Sequence, residues 1–209
     1  MTTRREKESI QMRKNIINAA KKIIKDEGFE KLSIRKIAKK LDYAPSILYY
    51  YFQNKEELQM AIMQDGYGKI IKAVLSAYQS DGSGLEKLKK MSEAYIYAAY
   101  NMSDEFVQAQ INSADIALEH TASMFEGALS KKPALQLLGK ALSQINQLKT
   151  LSEVEIELKA QMIAASTLGL IVKLIVEKNL DERQRNRLVN TFINQVIVPI
   201  ALSKGEENE

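Results

Sequence analysis

Apolar residues recur along this chain at spacings of three and four, the period of helices that bury one face. Ile16, Ile17, Ala20, Ile23 and Ile24 form the first such stripe, and the pattern predicts a helix over 9–27 that Gly28 ends. Ser33 is placed as an N-cap before a second helix with Ile34, Ile37, Ala38 and Leu41 on its buried face. Asp42, Tyr43 and Ala44 make a very short break. Pro45 then occupies the first position of a third helix, which continues through Tyr51. Asn54 followed by Glu57 reads as a cap and its acidic partner, opening a fourth helix that runs to about residue 79. Two short helices joined by about three residues, with a helix before them, make a helix-turn-helix.

Helical spacing continues beyond residue 60. The stretch 80–84, Ser-Asp-Gly-Ser-Gly, is a loop by composition, and helices are expected over 85–100 and, in one or two pieces, 105–129. A turn at 130–135 precedes a shorter helix, and two long helices close the chain over 152–178 and 181–203. Strand-like alternation is scarce and prolines number three, so the expected fold is all-α. It comprises an N-terminal three-helix domain, residues 1–54, and a larger helical domain, residues 55–209. The most apolar stretch, 160–176, is short for a membrane span and carries Lys173, so a buried helix is expected and no membrane partner.

Charge sharpens this picture. Residues 1–60 hold 14 Lys and Arg against 8 Asp and Glu, whereas residues 61–209 hold 16 against 18. A basic head on a slightly acidic body fits a polyanionic partner, the alternative being a merely solvated Lys-rich surface. The chain has no cysteine, which excludes disulfides and thiolate chemistry and fits a reducing cytoplasm, the expected location. His120 is the one histidine; with Asp115 and Glu119 it supplies too few donors for a metal site. No phosphate-binding loop, dinucleotide fingerprint or nucleophile elbow is present, so no catalytic residue, metal or cofactor is expected.

Three consecutive tyrosines, Tyr49 to Tyr51, cannot share one face of a helix. At 100° per residue, Leu48 and Tyr51 continue the inward face of Ala44, while Pro45, Ser46 and Tyr49 point outward with Tyr50 on their flank. Outward tyrosines beside basic residues suit nucleic acid, since the hydroxyl reaches phosphate and the ring packs on sugar or a thymine methyl. Pro45, Ser46 and Tyr49 are therefore expected nearest the base edges. Ser33, Tyr50 and Lys55 are expected at phosphates, Lys55 assisted by the N-terminus of the fourth helix.

The segment Phe29–Leu58 resembles the DNA-binding segment of the TetR family of bacterial transcriptional regulators. The matching residues are Ser33, Ile37-Ala38, Leu48-Tyr49, Tyr51-Phe52, Asn54-Lys55-Glu56 and Leu58. Three residues depart from the family pattern. Asp42 stands where glycine is usual, Tyr43 replaces a small aliphatic residue, and Ala44 lacks the usual capping hydroxyl. The resemblance implies a homodimeric repressor on a double-stranded DNA operator, released by a small apolar or amphipathic effector. It also implies dimerisation through the two C-terminal helices. There the apolar stripes are wider than one buried face needs, and Ala165, Gly169, Val172, Phe192 and Val196 are the candidates. The effector site it implies lies among the middle helices, with Met63, Tyr67, Met91, Tyr95, Met124 and Phe125 as candidates. Two other readings remain open at this point. One is a DNA-binding protein of the same fold controlled by a protein partner or by no ligand, in chromosome organisation or division. The other is a small-molecule-binding helical protein that does not bind DNA.

Overall fold

The computed structural model describes residues 3–103, 106–107, 110, 121–177 and 179–203. All regular structure among them is helical. The order is α1 (Arg4–Glu27), a 3-10 turn (Phe29–Lys31), α2 (Ile34–Leu41), α3 (Pro45–Tyr51), α4 (Lys55–Tyr78) and α5 (Gly84–Tyr100). There follow α6 (Ala128–Lys131), α7 (Pro133–Ser143), a 3-10 turn (Asn146–Leu148), α8 (Glu153–Val176), α9 (Glu182–Phe192), a π turn (Ile193–Ile197) and α10 (Val198–Leu202).

The chain forms two compact units: Met1–Gly66 with the described residues of 104–119, and Tyr67–Ser103 with the described residues of 120–209. The expected boundary at 54/55 lies at the cap of α4, whereas the compact units divide inside that helix, because its first turns complete the N-terminal core. That core is built from Ile16, Ala20, Ile23 and Ile24 of α1, Ile34, Ile37 and Ala38 of α2, Leu48 of α3, Phe52, and Leu58 and Ile62 of α4. Phe52 is fully buried just past the end of α3. Helix α1 begins five residues earlier than the apolar stripe indicates. Thr3 and Glu6 form a capping box there, and Arg4 pairs with Glu8 one turn on, so local polar bonds extend the helix beyond its packed face.

In the second unit α8 packs against α7, α5 and α10, and α5 packs against α7. Two further capping boxes start its helices, Ser83 with Glu86 and Ser152 with Glu155. Hydrogen bonds from Ser83 and from Ser152 hold the carboxyls of Glu86 and Glu155 below the ordinary value. Gly84 opens α5 against the backbone of α7's end. A Cβ there would lie 2.7 Å from the carbonyl carbon of Gln144, so only glycine fits. By length and composition α8 is able to cross a membrane; here it buries Lys159, Gln161 and Thr167 among its packed residues. The Lys159 ammonium donates to Ser203 O (2.6 Å), Ser203 Oγ (2.7 Å) and Ile200 O (3.1 Å), closing the C-terminus of α10.

Two expected elements take another form. The single expected helix over 181–203 contains the π turn, in which Val198 N–H bonds Ile193 O five residues back. Pro199, which has no N–H to give, follows directly. The helix expected to end at 129 is broken over 122–127, and α6 restarts at Ala128. Gly127 there is left-handed (φ 78°), and Glu157 of α8 accepts from Gly127 N–H and Leu129 N–H, both at 2.9 Å. Gln161 donates to the carbonyls of Ser123 and Phe125, which holds the non-helical stretch against α8. The remainder of the helix expected over 105–129, and Asp115, Glu119 and His120, lie outside the described residues apart from 106–107, 110 and 121.

Candidate nucleic-acid interface

Helix α2 starts at Ser33, whose Oγ accepts from Lys36 N–H at 3.3 Å. It ends at Asp42, the one described non-glycine residue with positive φ (φ 58°, ψ 42°). Tyr43 N–H returns to Ala38 O at 2.9 Å, so the turn closes with the bonding a glycine would give, although the residue is aspartate. Pro45 then sets the first residue of α3, and Ala44 caps it with no side-chain bond.

Helix α3 has one fully buried side chain, Leu48. Tyr51 is half-buried, edge-on to Tyr50 with ring centroids 5.1 Å apart, and Ala44, expected to face inward, is exposed. Pro45, Ser46, Tyr49 and Tyr50 are all exposed as expected. Their order differs from expectation: Tyr50, placed on the flank, is 82 % exposed against 51 % for Tyr49. Exposed Ile47, on the same helix, was not among the expected residues.

The far end of α3 is braced from α1. The Arg13 guanidinium stacks 4.2 Å from the centre of the Phe52 ring, donates to Tyr51 O, and reaches Glu57 at 3.4 Å. Glu57 accepts from Gln53 N–H at 2.7 Å, while Glu57 N–H donates to Asn54 Oδ1, also at 2.7 Å. The backbone of this joint is therefore satisfied by side chains of α1 and α4. Lys21 pairs with Asp65 at 2.6 Å, a second tie between α1 and α4. Sequence reading missed Arg13, because nothing in local spacing links it to residues 38 and 44 positions away.

Charges on α2 divide into two sets. Lys36 pairs with Glu27 and Lys40 lies 4.0 Å from Asp26, so these cations are turned toward the end of α1. The Lys36 hydrogen bond holds the Glu27 carboxyl below its ordinary value. Arg35 and Lys39 are exposed and belong to neither pair. Lys55 is half-buried at the first position of α4, where the Asn54 side chain already occupies one of the free N–H groups.

The expected effector residues belong to both compact units. Met63 is buried in the first unit, and the other five lie in the second. Met91 is buried in α5. Tyr67 and Tyr95 are half-buried; burial raises the Tyr67 hydroxyl against a bond to the Ala134 backbone and pushes Tyr95 up to about 12, with Tyr67 adding to the shift. Met124 (60 % exposed) and Phe125 lie on the surface in the non-helical stretch, with Lys131 and Lys132 over the Phe125 ring.

The C-terminal candidates fall on an open face. Val154, Leu158, Met162, Ala165, Gly169 and Val176 of α8 are exposed and Val172 is half-buried, a stripe with steps of four, four, three, four, three and four. A Cβ on Gly169 would meet nothing within 4 Å. Phe192 and Val196 are half-buried.

Residues 16–62 match the family described as bacterial regulatory proteins, tetR family. The matched span coincides with the N-terminal core from Ile16 to Ile62. A fatty acid metabolism regulator protein of Bacillus subtilis is 30 % identical over 73 residues, covering 35 % of this chain and 38 % of that protein. Thus the matched region spans well under half of that curated relative. Solved structures agree over nearly the whole chain. A TetR/AcrR transcriptional regulator of Thermobifida fusca has a TM-score of 0.68 at 14 % identity, covering 95 % of this chain and 100 % of its own. The fatty acid degradation regulator FadR of Bacillus halodurans has a TM-score of 0.66 at 20 % identity, covering 94 % and 97 %. A putative fatty acid metabolism regulator of Clostridium perfringens has a TM-score of 0.62 at 18 % identity, covering 92 % and 100 %. Over residues 16–62 the chain thus carries the N-terminal domain of the TetR family of bacterial regulatory proteins, and its helical fold is that of the solved regulators.

Proposed function

We propose that this protein is a DNA-binding transcriptional regulator: a homodimeric repressor that a small apolar or amphipathic effector releases from a palindromic operator. The observation that carries the reading is α3. It is a short helix held by Leu48 and the Arg13 brace, with Ser46, Tyr49 and Tyr50 turned outward within a basic segment. Residues 1–54 act on DNA, with Pro45, Ser46 and Tyr49 at base edges and Ser33, Tyr50 and Lys55 at phosphates. Residues 55–209 take the effector and dimerise. Two heads on a two-fold axis call for half-sites one helical turn apart, about 34–36 Å or a little more. The open stripe on α8 supports the dimer, because an exposed apolar face of this length is otherwise a liability. Three relatives named for fatty acid metabolism or degradation support an effector with an apolar chain. Such a ligand shifts the equilibrium only by binding the released form better than the DNA-bound form.

The test is selection from a random duplex pool with the full chain, followed by titration of the enriched site. A palindrome is expected. Lys55→Ala is expected to weaken binding to all sequences and to lower the salt slope by about one charge. Failure to enrich any duplex would overturn the regulator reading, and an unchanged slope would remove Lys55 from the phosphate contacts.

A further inference from the structure

The outward surface of α3 holds a residue with no polar role. Ile47 is 39 % exposed at the third position of the helix, with exposed Ser46 before it and exposed Tyr49 two residues on. Tyr43, in the turn just ahead, is equally exposed. One exposed isoleucine on a protein surface means little by itself. This one sits in a seven-residue helix whose other outward side chains beyond Pro45 at its first position, Ser46, Tyr49 and Tyr50, all carry hydroxyls. Isoleucine is also a poorer helix former than the unbranched residues, so helix stability does not favour it there.

In the proposed function α3 lies in a major groove with its first residues toward the bases. Ile47 has neither donor nor acceptor, so it cannot bind a phosphate or the polar edge of a base. The major groove offers one apolar group, the 5-methyl of thymine. We infer that Ile47 reads a thymine methyl in each operator half-site and is a specificity-determining residue of this chain. The inference rests on the regulator reading. It assigns the tyrosine hydroxyls and Ser46 to polar contacts and gives the methyl to the branched aliphatic side chain, the deoxyuridine test on Ile47→Ala separating Ile47 from Pro45 and the tyrosine rings as its reader.

The experiment uses the selected operator, with each thymine in one half-site replaced in turn by deoxyuridine, symmetrically in both halves. That change removes the methyl and keeps every hydrogen-bonding group. For the wild-type chain one position is expected to lose about fourfold in affinity per half-site, the worth of one buried methyl group. For Ile47→Ala the thymine and deoxyuridine operators should bind equally at that position, and Ile47→Val should retain part of the preference. Ile47 is on the surface, so both variants are expected to keep the wild-type thermal transition. A wild-type chain indifferent to every deoxyuridine substitution would overturn the inference while leaving DNA binding intact. A preference that survives in Ile47→Ala would assign the methyl to another residue and also overturn it. Failure to select any operator would overturn the regulator reading itself and this inference with it.

Discussion

At Asp42 the backbone enters the left-handed region that glycine occupies without cost, and an aspartate there is strained. Two residues on, Ala44 offers no side-chain oxygen to the first turn of α3. The turn thus keeps its geometry without two of the residues that usually secure it, and the bonds of Tyr43 N–H to Ala38 O and Ile47 N–H to Ala44 O carry it. Restoring the cap is expected to help: Ala44→Ser should raise the unfolding free energy by about 1 kcal/mol, read from the urea midpoint of the full chain. An unchanged or lower midpoint would mean that the cap hydroxyl finds no donor here. The departures at these positions were legible in the sequence, as were Ser33, Pro45 and Asn54, because caps and turns act over three or four residues. The relative exposure of Tyr49 and Tyr50 was not. It depends on how far the third helix rolls about Leu48, and that roll is set by packing.

Among the elements, α3 is too short to hold itself and is positioned from outside. Leu48 anchors its middle, while Arg13 on α1 binds Tyr51 O, Phe52 and Glu57 together. Arg13→Met keeps the apolar stem and removes the guanidinium. It is expected to cost about 1–2 kcal/mol of stability, one stacked cation and one hydrogen bond. Operator affinity should fall equally at every salt concentration, because this guanidinium is engaged by Tyr51 O, Phe52 and Glu57. A salt slope reduced by about one charge would instead make Arg13 a phosphate contact. Helix existence was legible from periodicity for α1 to α5 and for α8, whereas the turn expected over 130–135 is the end of α6 and the start of α7. The π turn before Pro199 and the break over 122–127 were less so. The first leaves the apolar period nearly intact, and the second is stabilised by Glu157 and Gln161, some 30 or more residues away.

For the whole molecule the decisive feature is the α8 stripe. Ala165 and Gly169 are exposed, so Gly169→Arg disturbs no packing within the protomer. Sedimentation should show a dimer for the wild type at micromolar concentration and a folded monomer for Gly169→Arg, with helical circular dichroism retained. A wild-type monomer, or a variant that still dimerises, would exclude this face as the interface. The interface candidates were legible as a surplus of apolar residues. The effector candidates were not resolved in the same way, since Met and Tyr fill ordinary cores as readily as pockets.

If the chain is the effector-released homodimeric repressor proposed above, the stripe also has a consequence for gene dosage. A protomer that leaves Val154, Leu158, Met162 and Val176 in water has reason to pair before it meets DNA. Where the chain is scarce enough for the pairs to dissociate, operator occupancy rises with the square of its abundance rather than in proportion to it. Halving the number of gene copies would then relieve repression by more than half. The regulated promoter would respond to how much of this protein the cell makes, as well as to whether the effector is present.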